Sequence, residues 1–106
     1  MTDKKLKGKK LLETIRQLIA LNRYRTSSHF QEREKQRSIF LWEALHVLQH
    51  GAHEEVRDEW DHKYQVWKYA IKGRTVDARE LRVVVSVLVT EGLLLITVYD
   101  LNSKRK

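Results

Sequence analysis

The chain contains no cysteine and no proline among its 106 residues. The absence of cysteine excludes disulfide bonds, thiolate zinc sites and cysteine nucleophiles, and it fits a reducing compartment. The absence of proline argues against polyproline segments and rigid hinge linkers. With 42% apolar residues the chain can build one modest core, and at this length a single domain is expected.

The sequence also lacks a long uninterrupted apolar run. Glu13 and Arg16 interrupt the apolar positions that follow the basic start, so no secretory leader is predicted. The most apolar region, residues 83–96, contains Thr90 and Glu91 and is too short to cross a bilayer. We therefore expect a cytoplasmic protein with no membrane partner.

The formal net charge of +7 is unevenly distributed along the chain. Residues 1–10 hold five Lys and one Asp, and residues 104–106 are all basic, whereas residues 11–100 hold equal numbers of basic and acidic side chains. We predict a basic flexible tail over 1–9, one domain over 10–101 and a second basic tail over 102–106. Such tails add salt-sensitive attraction to nucleic acid.

Apolar residues at three- and four-residue spacing predict a helix over residues 10–22. The hydroxyls of residues 26–28 can cap a polar second helix over 28–37. A third helix is predicted over 39–50, with Gly51 at its C-terminal cap. The side chains expected to be buried from this third helix are Ile39, Leu41, Trp42, Leu45 and Leu48.

After Gly51 the period of the apolar pattern changes. Residues 64–72 alternate between apolar faces, and residues 81–89 are apolar on both faces, which predicts a central strand. A polar loop over 73–79 and a tight turn at Glu91–Gly92 separate the later strands. The predicted class is α+β, with about three N-terminal helices packed on one face of a three- to four-stranded antiparallel sheet. Because the helices cover one face, the other needs a partner, a folded-back tail or a second copy, and a homodimer through the open sheet face is one of these open hypotheses. The predicted strands span residues 56–60, 64–72, 81–89 and 93–101.

One candidate site lies on the second helix, where His29, Arg33 and Arg37 follow each other at four-residue spacing and share one face. Imidazole titrates near neutrality and can transfer protons. Guanidinium groups can hold a phosphodiester through paired hydrogen bonds. This combination suits metal-free RNA cleavage. The alternative is a solvated helix face, which the interleaved Glu32 and Glu34 favour.

The strands supply further polar candidates. Arg82 stands among apolar neighbours, and because burying an unpaired charge is costly it must reach solvent or a partner. It is either a phosphate ligand on an open sheet face or the partner of an acid such as Glu80 or Asp100. Tyr99 can donate a proton or stack on a base, although a strand tyrosine commonly serves packing. The other polar candidates, predicted to contact substrate, are Lys68 and Thr97.

Two further clusters have less specific interpretations. Glu43, His46 and His50 fall on one side of the third helix, a geometry that can bind zinc. However, the sequence has no His-Glu-x-x-His motif, and a cation at His50 is favoured by the helix C-terminus, so no metal or other cofactor is predicted. The acidic stretch 54–61 would repel phosphate; it suits a basic protein partner or protection of an edge strand.

Taken in order, these segments resemble the small bacterial proteins grouped as domain of unknown function 4258. That grouping in turn resembles the RelE/ParE/HigB-like toxins, in which N-terminal helices pack on an antiparallel sheet. Ser38 and Ala78 stand where the family usually has Gly. The segments that carry the resemblance are Tyr24–His29, Arg33, Arg37–Ile39, Gly51, Trp67–Tyr69, Gly73–Asp77, Glu80–Val85 and Leu95–Tyr99.

The resemblance implies an RNA-cleaving toxin, or a descendant of one, paired with an antitoxin protein and acting on RNA or the ribosome. It implies that His29 or Tyr99 transfers protons. It also implies that Arg33, Arg82 and Lys68 hold the phosphate and stabilise the transition state. No metal is needed where the 2′-hydroxyl of the RNA is the nucleophile. The other open hypothesis is a non-catalytic module that binds protein or nucleic acid.

Overall fold

Three helices precede most of the sheet in the computed structural model, which describes residues 5–88 and 90–102. Helix α1 spans Gly8–Ala20, α2 spans Ser28–Arg37 and α3 spans Leu41–His50. The predicted bounds of α2 are confirmed, whereas α1 begins two residues earlier and α3 two residues later than predicted. Within the described ranges, no helix has the length and apolar character needed to cross a membrane.

The described strands form a six-stranded sheet in the order β1-β6-β5-β4-β2, and β3 pairs with the first part of β4. The α+β class is confirmed, but the expected count of three to four strands is too low. The sheet is also not purely antiparallel, because β1 pairs with β6 in parallel. The strands are β1 (Tyr24–Thr26), β2 (Ala52–His53), β3 (Glu59–Asp61), β4 (Val66–Arg74), β5 (Glu80–Leu88) and β6 (Gly92–Asp100).

The acidic strand predicted over Val56–Trp60 is wrong. The chain forms a 3₁₀ turn over Glu55–Arg57, and β3 begins only at Glu59. Val56 is 91% exposed, so its apolar character does not mark a buried strand position. The last residue of the predicted strand 81–89 lies outside the described residues.

All three helices pack against one face of the sheet, where the apolar side chains meet. From α3 the inward residues are Ala44, Val47 and Leu48, which share a helical face. Trp42, predicted to be buried, is 56% exposed because it lies outside that face. The sheet contributes Tyr69, Ile71, Leu81, Val83, Val85, Leu93, Leu95 and Val98 to the core.

Arg79 ties the turn between α2 and α3 to the sheet. Its guanidinium donates to the carbonyl oxygens of Arg37 and Ser38 and to the carboxylate of Asp100, at 3.0 Å for the latter two. It also lies 3.6 Å from buried Glu43, whose Oε1 accepts from the N–H of Phe40. Glu43 is therefore engaged in this network. Among the described residues, no group of His, Cys, Asp or Glu could hold a metal ion.

The segment that precedes α1 packs on the loop around Asp58. The Asp58 side chain is 1% exposed and lies 2.7 Å from Nε2 of His53 and 3.2 Å from Nζ of Lys5. Its other oxygen accepts from the N–H of Ala70 at 3.2 Å. Burial acts to lower the pKa of Lys5, but its bonds to Asp58 and Glu55 raise that pKa overall. Residues 1–4 and 103–106 of the two predicted tails lie outside the described residues.

Replacing Ala78 with Gly is expected to raise the free energy of unfolding by about 0.5–1 kcal/mol. Ala78 has φ = 66°, in the left-handed region that a Cβ atom disfavours. Ser38 has φ = 54° and is strained in the same way. Urea denaturation of Ala78→Gly measures the effect, with Ala44→Gly inside α3 as a control of opposite sign. A midpoint that Ala78→Gly leaves unchanged or lowers would show that the turn carries no such strain.

Candidate functional site

The sheet face opposite the helices carries the predicted strand residues. We call it the open face. Because side chains alternate along a strand, Arg82 and Val84 lie between the core residues Leu81, Val83 and Val85 and point to the other side. A groove of about 720 Å³ runs across this face. Its lining includes Asp58, Glu59, Lys68, Arg82, Thr97 and Tyr99.

A β-bulge in β6 brings Thr97 and Tyr99 to the open face. The β5–β6 register passes from Val84 opposite Thr97 to Val85 opposite Leu95, which leaves Ile96 as the extra residue. Leu95 and Val98 are therefore both in the core, and the two residues between them both line the groove. Without the bulge, strict alternation would put Thr97 and Tyr99 on the same side as Leu95.

Ser27 attaches the start of α2 to this bulge. Its hydroxyl donates to the carbonyl oxygen of Ile96 at 2.8 Å and accepts from the N–H of Phe30 at 3.0 Å, which makes Ser27 the N-cap. Phe30 is fully buried in the core, whereas His29 is exposed and lines a second depression on the open face. The cap thus places the imidazole beside β6.

Arg33 extends the same helix face over the end of β6. Its guanidinium carbon lies 5.1 Å from the ring centre of Tyr99, a cation–π contact. Its Nε is buried and has no hydrogen-bond acceptor among the described residues. The hydroxyl of Thr97, a residue 6% exposed, also has no partner within the described part of the chain. Buried polar atoms are normally paired, so these two stand out among the described residues.

Arg82 is paired, but not with either acid that the sequence suggested. Its Nε and Nη2 donate to the two carboxylate oxygens of Glu54, at 2.6 and 3.2 Å. These hydrogen bonds lower the pKa of Glu54 and raise the pKa of Arg82. Asp100 instead binds Arg79. This ion pair fixes the guanidinium of Arg82 on the open face. Because Nη1 takes no part in the pair, its N–H groups can donate to an anion.

Lys68 joins the groove to the second depression, because both are lined by Lys68 and Ile96. Its ammonium lies 3.7 Å from Glu59 and 3.9 Å from Asp61, both on the adjacent β3. Pairs this loose and partly exposed contribute little, so Lys68 can exchange a carboxylate for a phosphate. The acidic stretch therefore neutralises the site's own cations.

The structure brings together six of the seven predicted site residues. Arg33 lines neither depression but joins the group through its contact with Tyr99. Arg37 is the exception, because it is exposed in the last turn of α2 and lines neither depression. Sequence reasoning missed Glu54 as the partner of Arg82, since the two lie 28 positions apart. It also missed the apolar character of the second depression. The residues on the open face are His29, Arg33, Lys68, Arg82, Thr97 and Tyr99.

Comparison with known proteins returns one family. No match was found among curated proteins or among solved structures. A family model described as Domain of unknown function (DUF4258) matches residues 26–100, which run from the last residue of β1 to the end of β6 and contain every predicted site residue. The chain therefore belongs to the DUF4258 family.

Proposed function

We propose that the protein is a metal-free endoribonuclease of the RelE-like toxin type, acting through the open face. The observation that carries the proposal is the meeting of Arg33 and Tyr99 beside the unpartnered hydroxyl of Thr97. A phosphodiester has oxygens that can accept hydrogen bonds from guanidinium and hydroxyl groups. In this proposal the RNA is free or bound to the ribosome, and an antitoxin protein holds the enzyme inactive.

The chemistry follows from RNA itself. The 2′-oxygen attacks phosphorus, the bond to the 5′-oxygen breaks, and the products end in a 2′,3′-cyclic phosphate and a 5′-hydroxyl. One group takes the 2′-proton and another returns a proton to the leaving oxygen. His29 and Tyr99 are the proton-transfer groups. Arg33 and Arg82 stabilise the charge that develops on the phosphate.

The expected result for Arg33→Ala is a fall of about 10²–10³ in the rate of RNA cleavage by the purified protein. Arg33 lies against the groove residue Tyr99, with its guanidinium carbon 5.1 Å from the ring centre, whereas Arg37, one turn further along α2, is exposed and lines neither depression. Arg37→Ala is therefore the matched control and should cleave at the native rate. Equal cleavage rates for Arg33→Ala and Arg37→Ala would show that Arg33 does not take part in RNA cleavage.

One observation favours a second candidate, a non-catalytic RNA-binding module. Arg82 is held by both carboxylate oxygens of Glu54 and Lys68 lies near Glu59, which reduces the positive charge free to stabilise a transition state. Binding of RNA that depends on Arg33 but gives no cleavage would support this alternative over the endoribonuclease.

A further inference from the structure

We infer that the second depression on the open face holds one unpaired nucleobase of a single-stranded RNA, with a purine preferred. This inference deepens the proposed function and rests on it, because the base belongs to the RNA whose phosphate lies in the groove. We call the depression the base pocket, with a floor formed by Val66, Leu88, Leu94 and Ile96. Its volume is about 620 Å³.

The base pocket is apolar where the groove beside it is charged. Ser86, also in its lining, is fully engaged because its hydroxyl donates to the carbonyl oxygen of Trp67 at 2.7 Å. A phosphate would find no free donor on this floor, whereas the flat apolar face of a base would displace water from it. The polar groups stand at the rim, at Ser28 and His29 of α2 and at Asp61. They can meet the polar edge of a base.

Tyr64 gives the base pocket an aromatic wall. The ring belongs to the turn between β3 and β4 and is 67% exposed. Asp61 holds this turn by accepting from the N–H groups of Lys63 and Tyr64 at 2.9 and 3.1 Å. Nζ of Lys63 lies over this ring, 5.3 Å from its centre, so a base would stack on the other ring face. Single-stranded nucleic-acid binding proteins use exposed aromatic rings to stack bases in this way. A purine is preferred because it offers the larger stacking face.

Position and charge select RNA as the occupant. The base pocket shares Lys68 and Ile96 with the groove, so a base in one is continuous with a backbone phosphate in the other. Arg25, exposed and paired with Glu91, stands on the far rim and can meet the next phosphate. A cation on each side of an apolar floor matches a base flanked by two phosphates.

The test uses short RNA with 2′-O-methyl groups, which cannot be cleaved through the 2′-oxygen, and one 2-aminopurine between uridines. Binding to the native protein should quench the 2-aminopurine fluorescence. Tyr64→Ala should weaken binding roughly 5- to 150-fold and remove the quenching, since one stacked base contributes about 1–3 kcal/mol. Tyr64→Phe should keep both. The matched control is Phe40→Ala, an aromatic residue 63% exposed at the start of α3.

Native affinity and quenching in Tyr64→Ala would overturn the inference, and so would equal affinity for an oligonucleotide that lacks the base. The inference would also be overturned if the native protein did not bind this RNA and a protein partner covered the base pocket instead. The proposed function fails separately. If unmodified RNA stays intact while Tyr64-dependent quenching persists, the base pocket stands and the endoribonuclease does not.

Discussion

Replacing Asp58 with Ala is expected to lower the free energy of unfolding by about 3 kcal/mol. The carboxylate is almost fully buried and accepts from the N–H of Ala70, while His53 and Lys5 approach its other oxygen. Nδ1 of His53 accepts from the N–H of Gly8, so its Nε2 carries the proton that faces Asp58. Removing the carboxylate leaves the N–H of Ala70 and the Nε2–H of His53 without an acceptor.

The matched control for Asp58→Ala is Glu59→Ala. Glu59 is the next residue, and its side chain is 76% exposed and only loosely paired with Lys68. Its loss should change the unfolding free energy by less than about 0.5 kcal/mol. Urea denaturation followed by circular dichroism compares the two variants, provided that the unfolding free energy depends on urea concentration with the same slope in both. Midpoints for the two variants that coincide would show that the Asp58 network does not stabilise the fold.

Replacing His29 with Ala should lower the rate of RNA cleavage by about 10²–10⁴-fold while leaving stability unchanged. Loss of a proton-transfer group removes catalysis directly. The imidazole is exposed and makes no hydrogen bond or ion pair with the described residues, so its removal should disturb no packing. Single-turnover cleavage and urea denaturation on the same preparation separate the two effects.

His50→Ala is the control for His29→Ala. His50 is an exposed histidine at the end of α3, where its ring contacts that of His46. It lines neither the groove nor the base pocket. This variant should cleave RNA at the native rate. If the cleavage rate of His29→Ala is less than about threefold below the native rate, general acid–base catalysis by His29 is excluded.

Much of the fold could be predicted because its signals are local. The period of α1 and the cap at Ser27 depend on residues within one or two turns, and both appear as expected. The alternation of residues 64–72 and the apolar run of residues 81–89 indicated β4 and β5 in the same local way. The parallel strand β1 could not be predicted, because three residues are too few to show a period and its partner β6 lies almost 70 positions away.

The candidate site depended on features that no local pattern reveals. Alternation alone would have placed Thr97 and Tyr99 with the core, and only the bulge at Ile96 turns them to the open face. The role of Glu54 could not be predicted either, because its partner Arg82 lies 28 positions later in the sequence, beyond β3 and β4. Spacing could show that His29 and Arg33 share a helix face, but not that this face adjoins β6.

The most direct test of the account is to treat RNA with the native protein in the presence of EDTA and identify the new ends. The substrate is compared with one that carries a single 2′-deoxynucleotide at the cleaved position. The account predicts 2′,3′-cyclic phosphate and 5′-hydroxyl ends, and no cleavage at the deoxy position. Free RNA and ribosome-bound RNA that both stay intact would contradict it, and so would cleavage that needs a divalent metal and continues past the deoxy substitution.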